Sequence, residues 1–135
     1  LKMLNKGTPS NPRVIVIQKL YSYNLNKDSE IIFPKHKYKK FIKDVVTGTI
    51  ERRELIEEAI NKNLKNDINE NKTELILKLM IMAAIYEFMY MHKTPVKVVI
   101  SEYLKVCDFF VETSQKDFVN AILDRVSKVS RVDAK

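Results

Sequence analysis

Turn-forming residues and cysteine are scarce in this chain: of 135 residues, two are Gly, four are Pro and one is Cys. So few turn-formers exclude a β-rich fold with many tight turns, and two glycines cannot build a Gly-rich phosphate cradle. The single cysteine, Cys107, excludes an intrachain disulfide. No apolar stretch with a small-residue cleavage site opens the chain, so a cytoplasmic protein is expected. There is also no zinc pair, no Walker loop, no Gly-x-Ser-x-Gly elbow and no dinucleotide fingerprint, which leaves the familiar sequence routes to catalysis unoccupied. His36 sits in a lysine run and His92 at a helix end, neither with a partner motif. Glu51, Glu54, Glu57 and Glu58 are spaced as a helix start that favours negative charge, which fits capping better than metal binding. The expectation is a protein that is not an enzyme and holds no metal or cofactor.

What is present is a normal globular mixture, 45% hydrophobic and 30% charged, in a length that suits one core. The net charge of +7 is unevenly placed. Residues 1–47 hold ten Lys/Arg and three Asp/Glu, whereas residues 48–135 hold fourteen of each. Such asymmetry points to a polyanionic partner, because clustered cations gain affinity by releasing counterions from phosphates.

Apolar periodicity predicts six helices. The first starts near Pro12 behind Asn11 and runs to about Leu25, with Val14, Ile17, Leu20, Tyr21 and Leu25 as one stripe and Arg13, Gln18 and Lys19 at or beyond its edge. The second follows Pro34, carries Lys35, Lys37, Lys39, Lys40 and Lys43, and breaks at Gly48; Thr49 caps a third that reaches Leu64. Polar residues 65–72 separate two halves. From Leu75 to Met91 only Lys78 and Glu87 interrupt an apolar run, too short and too charged for a membrane span, so a buried central helix is expected. Its methionines read as core filling. Thr94-Pro95 opens a fifth helix and Ser114 with Asp117, as a capping box, a sixth. Cys107 falls on an apolar side and reads as a small buried hydrophobe.

Five blocks then carry a family resemblance: Ile17-Gln18-Lys19-Leu20-Tyr21, Val46-Thr47-Gly48, Ala84-Ile85-Tyr86-Glu87, Pro95 to Glu102 (PVKVVISE), and Phe118 to Asp124 (FVNAILD). In order and spacing over about residues 10–131 they resemble the NusB transcription antitermination factors. The resemblance implies an all-α, single-domain bundle of about six to seven helices in two packed subdomains, roughly 12–64 and 73–131, behind a basic tail of residues 1–11. It implies binding of the single-stranded boxA element of nascent ribosomal RNA together with the ribosomal protein NusE. It also implies joining the RNA polymerase elongation complex with other Nus factors, and no membrane association.

The same resemblance assigns site residues. Arg13 holds the last position of an arginine motif whose earlier positions are here Pro9, Ser10 and Asn11, so Lys2, Lys6 and Lys19 stand in as phosphate contacts, with Gln18 as a hydrogen-bonding candidate. Gln115, Lys116, Phe118 and Asn120, at the start of the last helix, complete the RNA face; Phe118 either stacks on a base or packs in the core. Charge reversal at Arg13 is expected to weaken RNA binding with the helical fold intact. Leu77, Lys78 and Glu87, with the Lys93 to Lys97 corner, are the expected protein-partner contacts. Ser101 and Ala121 stand where the family often has asparagine and glycine. Two alternatives share the fold: a helical adaptor that no longer binds RNA, and the RNA-binding domain of an rRNA cytosine methyltransferase, which would need a methyl-donor domain beyond residue 131.

Overall fold

In the computed structural model, which describes residues 9–64, 66, 68 and 74–131, six α-helices follow one another: α1 (Pro12–Leu25), α2 (Lys39–Glu51), α3 (Arg53–Leu64), α4 (Leu75–Tyr90), α5 (Val96–Phe110) and α6 (Lys116–Ser130). No strand occurs among the described residues. Lys2 and Lys6 lie outside them, as does most of the expected boundary between the halves.

The first helix begins where the sequence indicates. Pro12 supplies the fixed φ of a first helical turn, and the Asn11 side chain accepts from the Arg13 N–H at 2.9 Å. Its packing is wider than one stripe. Arg13, Val14, Ile15, Val16 and Ile17 are all buried in succession, because α2, α4 and α5 close around the opening turns of α1.

Gly48 does not break α2. The helix continues to Glu51, and the Arg52 N–H closes it on the Gly48 carbonyl at 3.0 Å. The missing side chain is used for close approach instead: a Cβ on Gly48 would overlap the ring of Tyr86 from α4. Packing of α2 on α4 therefore overrides the helix penalty of glycine, ~1 kcal/mol relative to alanine. Thr49 consequently lies inside α2, buried, and caps nothing. Ser114 likewise makes no capping box; a single 3-10 turn, Thr113–Gln115, leads into α6.

The apolar run becomes α4, at the centre of the bundle, packed against each of the other five helices. Eleven of its sixteen residues are buried, Met80 and Met82 among them. At ~1.5 Å per residue it is about 24 Å long, and no described helix is long and apolar enough to cross a membrane. Both halves of the chain contribute to one continuous apolar core. Cys107 sits in it with no solvent exposure, and burial pushes its thiol up to about 11.

The C-terminal end of α4 shows how the chain ties itself off. Its last carbonyls have no partner within the helix. Arg131, the residue after α6, reaches back to donate to the carbonyls of Phe88 and Glu87 (both 2.9 Å), Met91 (3.1 Å) and Thr94 (2.5 Å), and His92 Nε2 donates to Met89 at 2.8 Å. A buried guanidinium thus locks α6 onto the end of the central helix and places positive charge where the helix dipole favours it.

Two outcomes follow from this packing. Replacing Arg131 by alanine strands buried carbonyls and lowers stability by about 3 kcal/mol, read as a lowered urea midpoint with unchanged m-value. The Cys107 thiol, raised in the folded state from an ordinary 9.0, contributes stability that is complete below pH 9 and lost as pH rises through about 11. In keeping with that, an alkylating reagent at pH 8 modifies Cys107 rapidly in urea and slowly in the native protein.

Candidate nucleic-acid interface

The basic excess of the first third acquires a place through His36. Its Nδ1 accepts the Tyr38 backbone N–H at 2.9 Å, which leaves Nε2 as the protonated nitrogen, and Nε2 donates to the carbonyls of Pro9 and Ser10 at 3.1 and 3.2 Å. Residues 35–39 are thereby latched to the chain that enters α1. Lys35, Lys37, Lys39, Lys40 and Lys43 are all exposed on this segment. Lys40 is partly neutralised by Asp44, 2.7 Å away, which also holds its ammonium above the usual lysine range. Tyr38 is an exposed aromatic in their midst, with the Lys37 ammonium 5.5 Å from its ring centre. None of these residues was assigned to the RNA face by resemblance; the charge asymmetry was the signal that could have found them.

Arg13 points the other way. It is buried, and its guanidinium forms a two-pronged pair with Glu87 of α4: Nε donates to Oε2 at 2.9 Å and Nη2 to Oε1 at 2.7 Å. The hydroxyl of Tyr103, from α5, donates to the same Oε2 at 2.6 Å. The guanidinium lies over Phe41 at 4.6 Å and near the Tyr103 ring at 5.6 Å. Burial opposes the charge on Arg13, but the hydrogen bond and charge of Glu87 more than offset it and hold its pKa up. Burial first, then the Glu87 charge, pushes the Tyr103 phenol well above its ordinary value. Arg13 is therefore an internal cation, not a free phosphate contact.

The same geometry corrects the protein-partner expectation. Glu87 has no exposure, so it cannot meet a partner surface, and Leu77 is buried in the core of α4. Both face inward because the central helix is enclosed on nearly every side. Lys78 does reach the surface region: it pairs with Glu57 at 3.4 Å and lines an apolar pocket with Leu20, Tyr23, Ile50, Leu79 and Met82. The buried hydroxyl of Thr49 lines this pocket and has no hydrogen-bond partner.

The remaining candidates fall in separate places. Gln18 and Lys19 are half-buried on α1, and Lys19 lines a hollow under the connection to α2. Gln115, Lys116 and Phe118 are half-buried at the start of α6; Phe118 packs partly on the core, and Lys116 pairs with Asp108 at 3.1 Å. Lys116 and exposed Asn120 share an open groove between α5 and α6 with Lys97, Ser101 and Lys105. Pro12, Arg13, Tyr38, Phe41, Thr94 and Glu102 line a separate open cleft of about 360 Å³ at the start of α1. Among the described residues, no group of three or more potential metal-ligating side chains comes together.

Because Glu87 would remain buried without its cation, Arg13→Leu costs about 3 to 5 kcal/mol, and charge reversal at Arg13 unfolds the chain instead of sparing its fold. Combining Arg13→Met with Glu87→Leu recovers most of that loss in thermal denaturation.

The NusB family model matches residues 10–128. The transcription antitermination protein NusB of Mesorhizobium japonicum is 28% identical over 107 residues, which cover 79% of this chain and 69% of that protein. The transcription antitermination protein NusB of Bradyrhizobium diazoefficiens is 31% identical over 93 residues, 69% of this chain; the match spans only 56% of that relative's length. A solved structure of NusB from T. maritima superposes with a TM-score of 0.75 at 22% identity, covering 91% of this chain and 93% of the other, a likeness of fold. With the family model spanning five helices and most of the sixth, and with the same fold in a solved member, this chain belongs to the NusB family.

Proposed function

We propose that this chain is a cytoplasmic transcription antitermination factor. It binds single-stranded boxA RNA together with the ribosomal protein NusE, and with other Nus factors it equips the RNA polymerase elongation complex to read through terminators. Its contribution is binding and not catalysis.

The observation that carries this reading is the latch of His36 onto Pro9 and Ser10, which gathers the exposed lysines 35, 37 and 39 and the Tyr38 ring beside the entrance of α1. Unpaired RNA offers phosphates to such ammonium groups and unstacked bases to such a ring. The lysines take the role that Arg13, spent on Glu87, does not fill. Lys97, Lys105, Lys116 and Asn120, which line the groove between α5 and α6 with Asp124, are a second set of contacts proposed for the strand. Lys2, Lys6, Lys19, Gln18, Gln115 and Phe118 belong to the same proposed RNA face, Lys2 and Lys6 by sequence alone. For NusE, the pocket beside Lys78 is the favoured contact, being apolar, open, and lined by an unpartnered hydroxyl.

Binding of boxA RNA with and without NusE, at two salt concentrations, tests the proposal. Affinity falls with salt, and neutralising Lys35, Lys37 and Lys39 to glutamine lowers the slope of log K against log salt by about 2, at ~0.7 per contact to a single strand. Absence of RNA binding in every condition, or binding indifferent to salt, overturns it. A second reading, an adaptor that retains NusE and has lost RNA, draws on the internal consumption of Arg13; capture of NusE alone by the purified chain favours it.

A further inference from the structure

The cleft lined by Pro12, Arg13, Tyr38, Phe41, Thr94 and Glu102 has a composition that a phosphate site does not explain. A phosphate-binding hollow presents donors. Here the one cationic side chain, Arg13, is already committed to Glu87, and what the cleft adds is two aromatic rings and a carboxylate, beside the exposed lysines 35, 37 and 39. Phe41 forms its inner side, one face already covered by the Arg13 guanidinium at 4.6 Å. Tyr38 stands at the rim with about half its surface, 48%, exposed.

Glu102 projects from α5 with its side chain partly exposed at 27%, and its oxygens are only loosely engaged. Oε1 lies 3.8 Å from Arg13 Nη1, beyond hydrogen-bond length, and Oε2 accepts from Lys105, a side chain 63% exposed that solvent readily releases. A carboxylate here repels the RNA backbone and accepts from N–H groups. The surrounding lysines hold the strand; the acid selects what turns inward.

The four bases differ in what they offer a carboxylate along the Watson–Crick edge. Adenine and cytosine each present one amine beside a bare ring nitrogen, which a carboxylate repels. Uracil presents one N–H flanked by two carbonyls. Guanine alone presents two adjacent donors, N1–H and the N2 amine, matched to the two oxygens of one carboxylate. We infer that this cleft is a binding pocket for a single unstacked guanine of an RNA strand, stacked on Tyr38 over Phe41 and read by Glu102 through its N1–H and N2–H groups. This rests on the RNA-binding reading above and adds to it a base identity and the residue that sets it.

The test uses the full chain and short single-stranded RNAs that carry one guanine, or inosine or adenine in its place, with binding followed by fluorescence anisotropy. Wild-type protein prefers guanine over adenine by about tenfold, as expected for one two-pronged contact. Inosine, which lacks only the N2 amine, loses much of that preference with no change to the protein at all. Glu102→Gln abolishes the preference yet keeps RNA binding and its salt slope. Tyr38→Ala weakens the guanine and adenine RNAs alike, by about tenfold for one lost stack. Circular dichroism and melting confirm that both variants are folded. Salt-dependent binding indifferent to the base, or a guanine preference that survives Glu102→Gln, overturns the pocket and leaves the RNA-binding reading standing. No RNA binding by the wild type overturns both.

Discussion

A carboxylate with no solvent exposure organises the molecule. Glu87 sits on the central helix, accepts twice from Arg13 of α1 and once from Tyr103 of α5, and so joins three helices through one group. Isolated, such a charge would cost several kcal/mol to bury; paired with a guanidinium and a phenol, its two oxygens are satisfied by three charge-assisted hydrogen bonds. The geometry leaves little freedom. Sliding α1 by one turn, about 5.4 Å, would strand both charges in an apolar core, so the pair sets the register of the helices even where its net stabilisation is small.

The inward pull on Arg13 shapes the outer surface as well. Because its guanidinium packs over Phe41, the start of α2 is drawn against the head of α1, and the His36 latch repeats that attachment from the loop side. Two internal contacts thus bring an exposed lysine run to the helix entrance. The cations at the surface are held there by a cation below it. In the cleft between them lies Glu102, close enough to Arg13 to feel its charge and exposed enough to meet a ligand.

The C-terminal end of α4 shows the same economy of contacts. Arg131 satisfies carbonyls that the helix cannot satisfy itself, and the close seating of Gly48 on Tyr86 lets α2 cross the central helix without a side chain between them. Arg52 adds a contact to the neighbouring ring of Tyr90, 4.4 Å from its guanidinium carbon. Arginines from three other parts of the chain, Arg13, Arg52 and Arg131, therefore converge on the C-terminal end of a central helix that is otherwise almost wholly apolar.

Much of this was legible in the sequence, and the reason is local. Pro12 after Asn11, the apolar run from Leu75, and the three- and four-residue spacing of Val99, Tyr103, Val106 and Phe110 are decided by chain neighbours, so the number of helices and most of their limits can be read directly. The buried state of Cys107 and the centrality of α4 follow from the same patterns. The direction of Arg13, the enclosure of Glu87 and Leu77, the continuity of α2 through Gly48 and the placing of the lysine run were settled only in three dimensions. Each depends on a partner distant along the chain: 74 residues separate Arg13 from Glu87, and 43 separate Arg131 from Phe88. Periodicity assigns a side chain to a face. Whether that face meets water or a buried opposite charge is decided by which helix folds against it.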